Sequence, residues 1–155
     1  MKKSMRLWVL PAFMLFGGVT QAYDAELAAT LHEQVTGKLT QTALASGNAK
    51  IGADKALEML AQKQPVLLLD VRTAAERQVL AFSHPDAVHV PLDQLFQKQS
   101  LDRLPTDRPV LVICHSGPRS FGAAMLLRSI GFDNARWVGG GTVAMAQQLT
   151  PKTAP

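Results

Sequence analysis

Val110-Leu111-Val112-Ile113-Cys114-His115-Ser116-Gly117-Pro118-Arg119-Ser120 is the stretch on which the reading of this chain turns. Four aliphatic residues without polar alternation read as a strand covered on both faces, the habit of parallel sheets. The strand leads through a short Gly- and Pro-containing loop into a helical pattern over Ser120 to Ile130. The same alternation recurs on either side. Ile51 precedes a helical pattern over Ala53 to Ala61, Val66 to Val71 precedes Thr73 to Leu80, and Ala87 to Val90 precedes Leu92 to Gln97. Arg136 to Val138 is followed by Thr142 to Leu149. About five strand and helix pairs in this order predict an α/β domain. Its architecture is a central parallel five-stranded sheet with helices on both faces.

In an open parallel sheet, ligands gather at the carboxyl ends of the strands, where the turns into the helices converge. Asp70, Cys114 and Gly139-Gly140-Gly141 each close a strand and are expected to share one rim. The loop after Cys114 can fold as a cradle whose successive N–H groups point inward, with the positive end of the next helix behind them. A thiol's ordinary pKa of about 8.5 falls in such a place, so a reactive thiolate at neutral pH is expected. Arg119 adds a planar, permanently charged donor for an oxyanion.

A lone cysteine considered by type alone is a small core residue. The strand end, the glycine-bearing loop and the neighbouring arginine make Cys114 a nucleophile instead. His115 follows that nucleophile directly and reads as a solvent-facing loop residue with no catalytic role. Asp70 and Arg72 read as a structural pair tying the strand end to the next helix, with Glu76 as the expected partner of Arg72. The triple glycine serves either a close backbone approach to the pocket or a plain turn. His32, His84 and His89 have no partner that suggests catalysis.

The segment Cys114 to Ser120 resembles the active loop of the rhodanese (thiosulfate sulfurtransferase) domain, Cys-x-x-Gly-x-Arg-Ser. The resemblance continues through Leu69-Asp70-Val71-Arg72 with Glu76, His84-Pro85-Asp86-Ala87, Val90-Pro91-Leu92, Ile130-Gly131-Phe132 and Val138-Gly139-Gly140. It spans about residues 50 to 149 and implies a rhodanese-like fold. Asp86 stands where glycine is usual in the family, and Met145 near where a tryptophan often follows the double glycine. The family implies a double displacement in which the Cys114 thiolate takes the outer sulfur of thiosulfate or a similar donor. The resulting persulfide passes its sulfur to cyanide or a thiol. His115, Ser116, Gly117, Pro118, Arg119 and Ser120 would form the substrate-binding loop, their amides stabilising sulfur charge and Arg119 orienting the donor's sulfonate-like end. Neither a metal nor an organic cofactor is implied.

The chain of 155 residues carries 16 Lys+Arg against 12 Asp+Glu, a formal charge of +4. Three of those cations, Lys2, Lys3 and Arg6, precede an uncharged run from Leu7 to Val19, and Thr20-Gln21-Ala22 supplies a small-x-small cleavage site. Residues 1–22 therefore read as an export signal, shorter than the about 20 apolar residues of a membrane span. The expected location is periplasmic or secreted. Cleavage leaves a net charge of +1, so the basic surplus does not indicate nucleic acid.

The single cysteine excludes an intramolecular disulfide and a multi-cysteine zinc site. Residues 23–46 read as an N-terminal helical extension, 47–150 as the domain and 151–155 as a frayed tail. In the extension Leu27, Leu31, Val35 and Leu39 recur every four positions, predicting an amphipathic helix from Tyr23 to about Ala45. Its stripe is expected to pack on the domain. The competing use is self-association or docking of a protein partner through residues 24–45.

Two other functions compete with catalytic sulfur transfer. One is a persulfide carrier or binding module serving a partner protein. The other is a cysteine phosphatase or arsenate reductase, disfavoured because four residues separate Cys114 from Arg119 where the tyrosine phosphatase pattern has five, and Ile113 stands where that pattern has histidine.

Overall fold

The computed structural model describes residues 23–38 and 49–149. The proposed export signal, residues 39–48 and the tail after Leu149 lie outside the described residues. Five strands, β1 (Lys50–Ile51), β2 (Leu67–Asp70), β3 (Ala87–His89), β4 (Val110–Ile113) and β5 (Ala135–Val138), form one sheet in the order β1-β5-β4-β2-β3. Every pairing is parallel. Helix α1 (Ala25–Gln34) precedes the sheet. The helices α2 (Ala53–Ala61), α3 (Ala74–Val79), α4 (Lys98–Leu101), α5 (Pro118–Ser129) and α6 (Gly141–Gln148) follow the five strands in turn.

The uninterrupted aliphatic runs behave as parallel strands should. All four residues of β2 and all four of β4 are buried, and alternate side chains enter two different cores. Leu67, Leu69, Val110, Val112 and Cys114 pack with Ala123, Ala124 and Leu127 of α5. Leu68, Leu111 and Ile113 pack on the other side with Ala56, Leu57 and Leu60 of α2 and Met145 of α6. Each fully buried Leu, Ile or Val contributes roughly 1.5–3 kcal/mol relative to exposure. The two central strands thus hold both helical layers, and the expected five-stranded sheet covered on both faces is what the chain forms.

Three local expectations need correction. The helix predicted from Tyr23 to Ala45 ends at Gln34 and gives way to a 3₁₀ turn over Thr36–Lys38. The β-branched pair Val35-Thr36 followed by Gly37 breaks the periodic pattern, and the Thr36 hydroxyl turns back on the His32 carbonyl at 3.5 Å. The stripe of α1 is not packed on the domain: no α1 residue is buried, and Leu27 and Leu31 stand 54% and 44% exposed. The helical pattern over Leu92 to Gln97 is a 3₁₀ turn at Leu92–Gln94 followed by α4 from Lys98. Pro91 lacks an N–H and sets the turn, while Gln97 is extended and restarts the helix.

The register places the site. Asp70 pairs with Ile113, so β2 and β4 end at one level, and the Val71 N–H donates to the Ile113 carbonyl at 2.9 Å. The next residue after Ile113 is Cys114. Val138 at the end of β5 runs into Gly139-Gly140-Gly141 beside it, the shared rim that the strand-end reasoning anticipates.

Candidate active site

Cys114 lies on the floor of the loop between β4 and α5, only 1% exposed. The loop reverses around its sulfur. Gly117 takes φ +117°, a conformation that a side chain would strain, and its N–H donates to Cys114 Sγ at 3.1 Å. Pro118 then opens α5, where its missing N–H costs no helical bond. Ser120 sits one turn in, fully buried. Its hydroxyl donates to the Gly117 carbonyl at 2.8 Å and accepts from the thiol at 3.5 Å; once Cys114 ionises, that hydroxyl proton is free to turn to Sγ. Burial pushes the Cys114 thiol up. The Ser120 hydroxyl and the amides of Ser120, Gly117 and Ser116 outweigh that effect and draw its pKa below the ordinary value.

A second element turns the loop's peptides inward. The N–H groups of Thr142 and Val143, at the start of α6, donate to the carbonyls of Cys114 at 2.8 Å and His115 at 3.1 Å. The Thr142 hydroxyl donates to the same His115 carbonyl at 3.2 Å. Because C=O and N–H of a trans peptide point oppositely, fixing those two carbonyls toward α6 turns the amides of His115 and Ser116 away from it. This close approach requires glycine. Gly141 has φ +57°, and a Cβ there would overlap the carbonyl oxygens of Cys114 and His115. Of the two uses open to the triple glycine, close backbone approach is the one observed.

The charged neighbours pair differently from expectation. Arg72, 2% exposed, does not bind Glu76. It closes a two-pronged bond with Asp70, Nε to Oδ1 at 2.9 Å and Nη2 to Oδ2 at 2.7 Å, and Nη2 also donates to the Leu80 carbonyl. Asp70 closes β2 and Arg72 stands two residues beyond it, and the short Asp-x-Arg spacing lets the guanidinium fold back on its own strand. Glu76 instead takes Arg119, Nη1 to Oε2 at 2.7 Å and Nη2 to Oε1 at 2.6 Å. Glu76 is also the third residue of a capping box with Thr73, so α3 aims its carboxylate at the loop. The Arg119 guanidinium, then the Thr73 backbone N–H, hold the Glu76 carboxyl well below the usual carboxylate range, and Glu76 raises Arg119 in return. The Arg119 fork is therefore already occupied at two of its five donors.

Of the other loop residues, His115, Ser116 and Pro118 are exposed, as the solvent-facing reading of His115 requires. His89 bonds the Arg72 carbonyl at 2.7 Å and His84 accepts from the Asp86 N–H, both structural roles. On the far side of Gly117, Trp137 meets Phe121 edge-on with ring centroids 5.4 Å apart, and Lys50 stands over Trp137. Between α3 and α6 a cleft of ≈ 600 Å³ opens beside His115, lined by Val79, Leu80, Thr142, Val143 and Ala146 with Arg72, Glu76 and Gln147. Sequence reasoning missed Thr142, the Glu76–Arg119 pair and this cleft. The Thr73-x-x-Glu76 capping pattern was a usable signal for the pair; for Thr142 it was the glycine run opening a helix.

The sequence profile of the family described as "Rhodanese-like domain" matches residues 52–148. A sulfurtransferase of Allochromatium vinosum is 33% identical over 106 residues, which cover 68% of this chain and 95% of that protein. The adenylyltransferase and sulfurtransferase uba4 of Ogataea parapolymorpha is 33% identical over 95 residues, 61% of this chain but only 24% of that protein. Among solved structures, a rhodanese-like domain protein of Staphylococcus aureus aligns with a TM-score of 0.55 at 27% identity, covering 62% of this chain and 89% of the other.

Proposed function

This chain belongs to the rhodanese-like domain family and is a sulfurtransferase; from that premise we propose that Cys114 carries the transferred sulfur as a persulfide. The Cys114 thiolate attacks the outer sulfur of thiosulfate or a similar donor. The donor's S–S bond breaks and sulfite leaves with the bonding pair. A second nucleophile, cyanide or a thiol, then attacks the outer sulfur and returns an electron pair to Cys114. The observation that carries this reading is one buried sulfur that receives the Gly117 amide at 3.1 Å and has the Ser120 hydroxyl 3.5 Å away. Donors held in place before reaction stabilise charge on the thiolate and on the persulfide without reorganisation. Among the described residues three of the five Arg119 N–H donors lie outside the Glu76 pair, and these orient the donor's sulfonate-like end.

The loop residues His115 to Ser120 are the substrate-binding segment in this reading, mainly through backbone amides. Steady-state formation of thiocyanate from thiosulfate and cyanide tests it: turnover is expected, and none in Cys114→Ser. A second reading, a persulfide carrier serving a protein partner, is favoured by the exposed Leu27 and Leu31 of α1. A stable persulfide with negligible turnover would select it. Residues 1–22 we read as a cleavable export signal that delivers the chain to the periplasm or beyond, on the strength of Lys2, Lys3, Arg6 and the uncharged run after them. A mature N-terminus at Tyr23 is the expected result of N-terminal sequencing.

A further inference from the structure

Cys114 is only 1% exposed, and the cleft between α3 and α6 opens at the edge of its loop, at His115, the residue that follows it. Its wall is aliphatic: Val79, Leu80, Val143 and Ala146. Val79 is 90% exposed, Leu80 49% and Val143 39%, so an apolar lip faces solvent across the cleft that His115 borders. Two charged residues reach the cleft, and each is closed in its own ion pair, Arg72 with Asp70 and Glu76 with Arg119. The lining therefore offers an incoming molecule apolar contact with balanced charge. The volume falls within the roughly 300–1,000 Å³ of small-molecule sites. A sulfur recessed to 1% exposure also admits only a slender nucleophile, one whose sulfur ends an unbranched carbon.

We propose that this cleft binds the uncharged, apolar body of a primary thiol that collects the sulfur from Cys114. The proposal rests on the reading of Cys114 as sulfur carrier and names its acceptor class. The acceptor thiolate attacks the outer sulfur of the Cys114 persulfide and a new S–S bond forms. The bond to Cys114 Sγ breaks, its electron pair stays on Cys114 as thiolate, and the acceptor leaves as a persulfide, with no external oxidant or reductant. Each acceptor methylene taken out of water favours binding about fourfold.

The test uses full-length protein loaded with one sulfur by thiosulfate and freed of excess donor. Discharge is followed by the loss of that sulfur in the intact mass, with n-butanethiol, sulfanylethanesulfonate and cyanide, each rate corrected for its ionised fraction. Butanethiol is expected to outrun the sulfonate by about tenfold or more, the worth of two or more buried methylenes. The substitutions Val79→Asn and Ala146→Asn, at exposed positions, are expected to reduce that preference to about threefold or less and leave cyanide discharge unchanged, since cyanide has no body to bind. Equal rates for the two thiols in the wild type, or a preference that survives both substitutions, overturns the acceptor class alone. Failure of cyanide as well as thiols to remove the sulfur overturns the carrier reading, and this proposal with it.

Discussion

Two loops leave neighbouring strands of the same sheet at the same level, and they use their polar groups in opposite ways. After β2, Asp70, Arg72 and the Thr73–Glu76 box satisfy one another almost entirely within seven residues. After β4, the polar groups of Gly117 and Ser120 turn toward a single sulfur, and the carbonyls are handed to α6. The first loop is closed; the second leaves its donors aimed at an atom that can change charge. A shared position in the fold therefore does not make a residue chemical. What distinguishes the loops is whether the donors are consumed locally or left converging on a reactive group. The link between the two is the Glu76–Arg119 pair, through which the closed loop braces the open one.

Substitutions that separate stability from chemistry sharpen this contrast. Asp70→Asn leaves the buried Arg72 charge unpaired, and breaking such a pair costs about 3–5 kcal/mol. Chemical denaturation is expected to show that loss, while the folded fraction keeps its transfer rate; a rate lost without a stability change would place Asp70 in the chemistry. Gly141→Ala inserts a Cβ against the Cys114 and His115 carbonyls and should cut transfer by about 100-fold, equivalent to about 2.7 kcal/mol. An active Gly141→Ala protein would mean that α6 does not set the loop's peptides.

Ser120→Ala removes one of the groups that lower the thiol's pKa. Alkylation by iodoacetamide, followed against pH, should reach half-maximum at a higher pH in the variant than in the wild type. An unchanged midpoint would assign the lowering to the backbone amides alone. Glu76→Gln is expected to have the smallest effect, about 1 kcal/mol or less, because the Arg119 pair is one-third exposed. The sign with pH follows from the direction of the Glu76 shift. Its folded pKa lies below the unfolded value near 4.5, so the contribution is complete above that pH and is lost as the pH falls through the folded value. Wild type and Glu76→Gln should therefore differ at neutral pH and converge in strong acid.

The fold was legible because its signals are local and repeated. Val66 to Leu69 and Val110 to Ile113 are unbroken aliphatic runs of strand length bounded by turn residues, the pattern of a sheet covered on both faces. The loop from Cys114 to Ser120 was legible for a related reason, since strand, nucleophile, glycine and arginine all lie within eleven consecutive residues. Side-chain pairing across elements was not. Arg72 has carboxylates at two and four residues' distance, and only the backbone path decides that Asp70 takes it, freeing Glu76 for Arg119 43 residues away. Thr142 was hidden for the same reason: its partners belong to the neighbouring strand's loop, and that adjacency comes from the sheet order. For α1, the periodicity was real as far as Gln34, but a stripe does not say what covers it.

The central claim is that the donors converging after β4 make Cys114 the sulfur carrier. Intact-mass spectrometry of the wild-type protein and of Cys114→Ser after thiosulfate treatment tests it directly. The wild type is expected to gain the mass of one sulfur atom, removable by cyanide, and Cys114→Ser to gain nothing. A sulfur retained by the Cys114→Ser protein, or a wild type that never acquires one from any sulfane donor, would contradict the account.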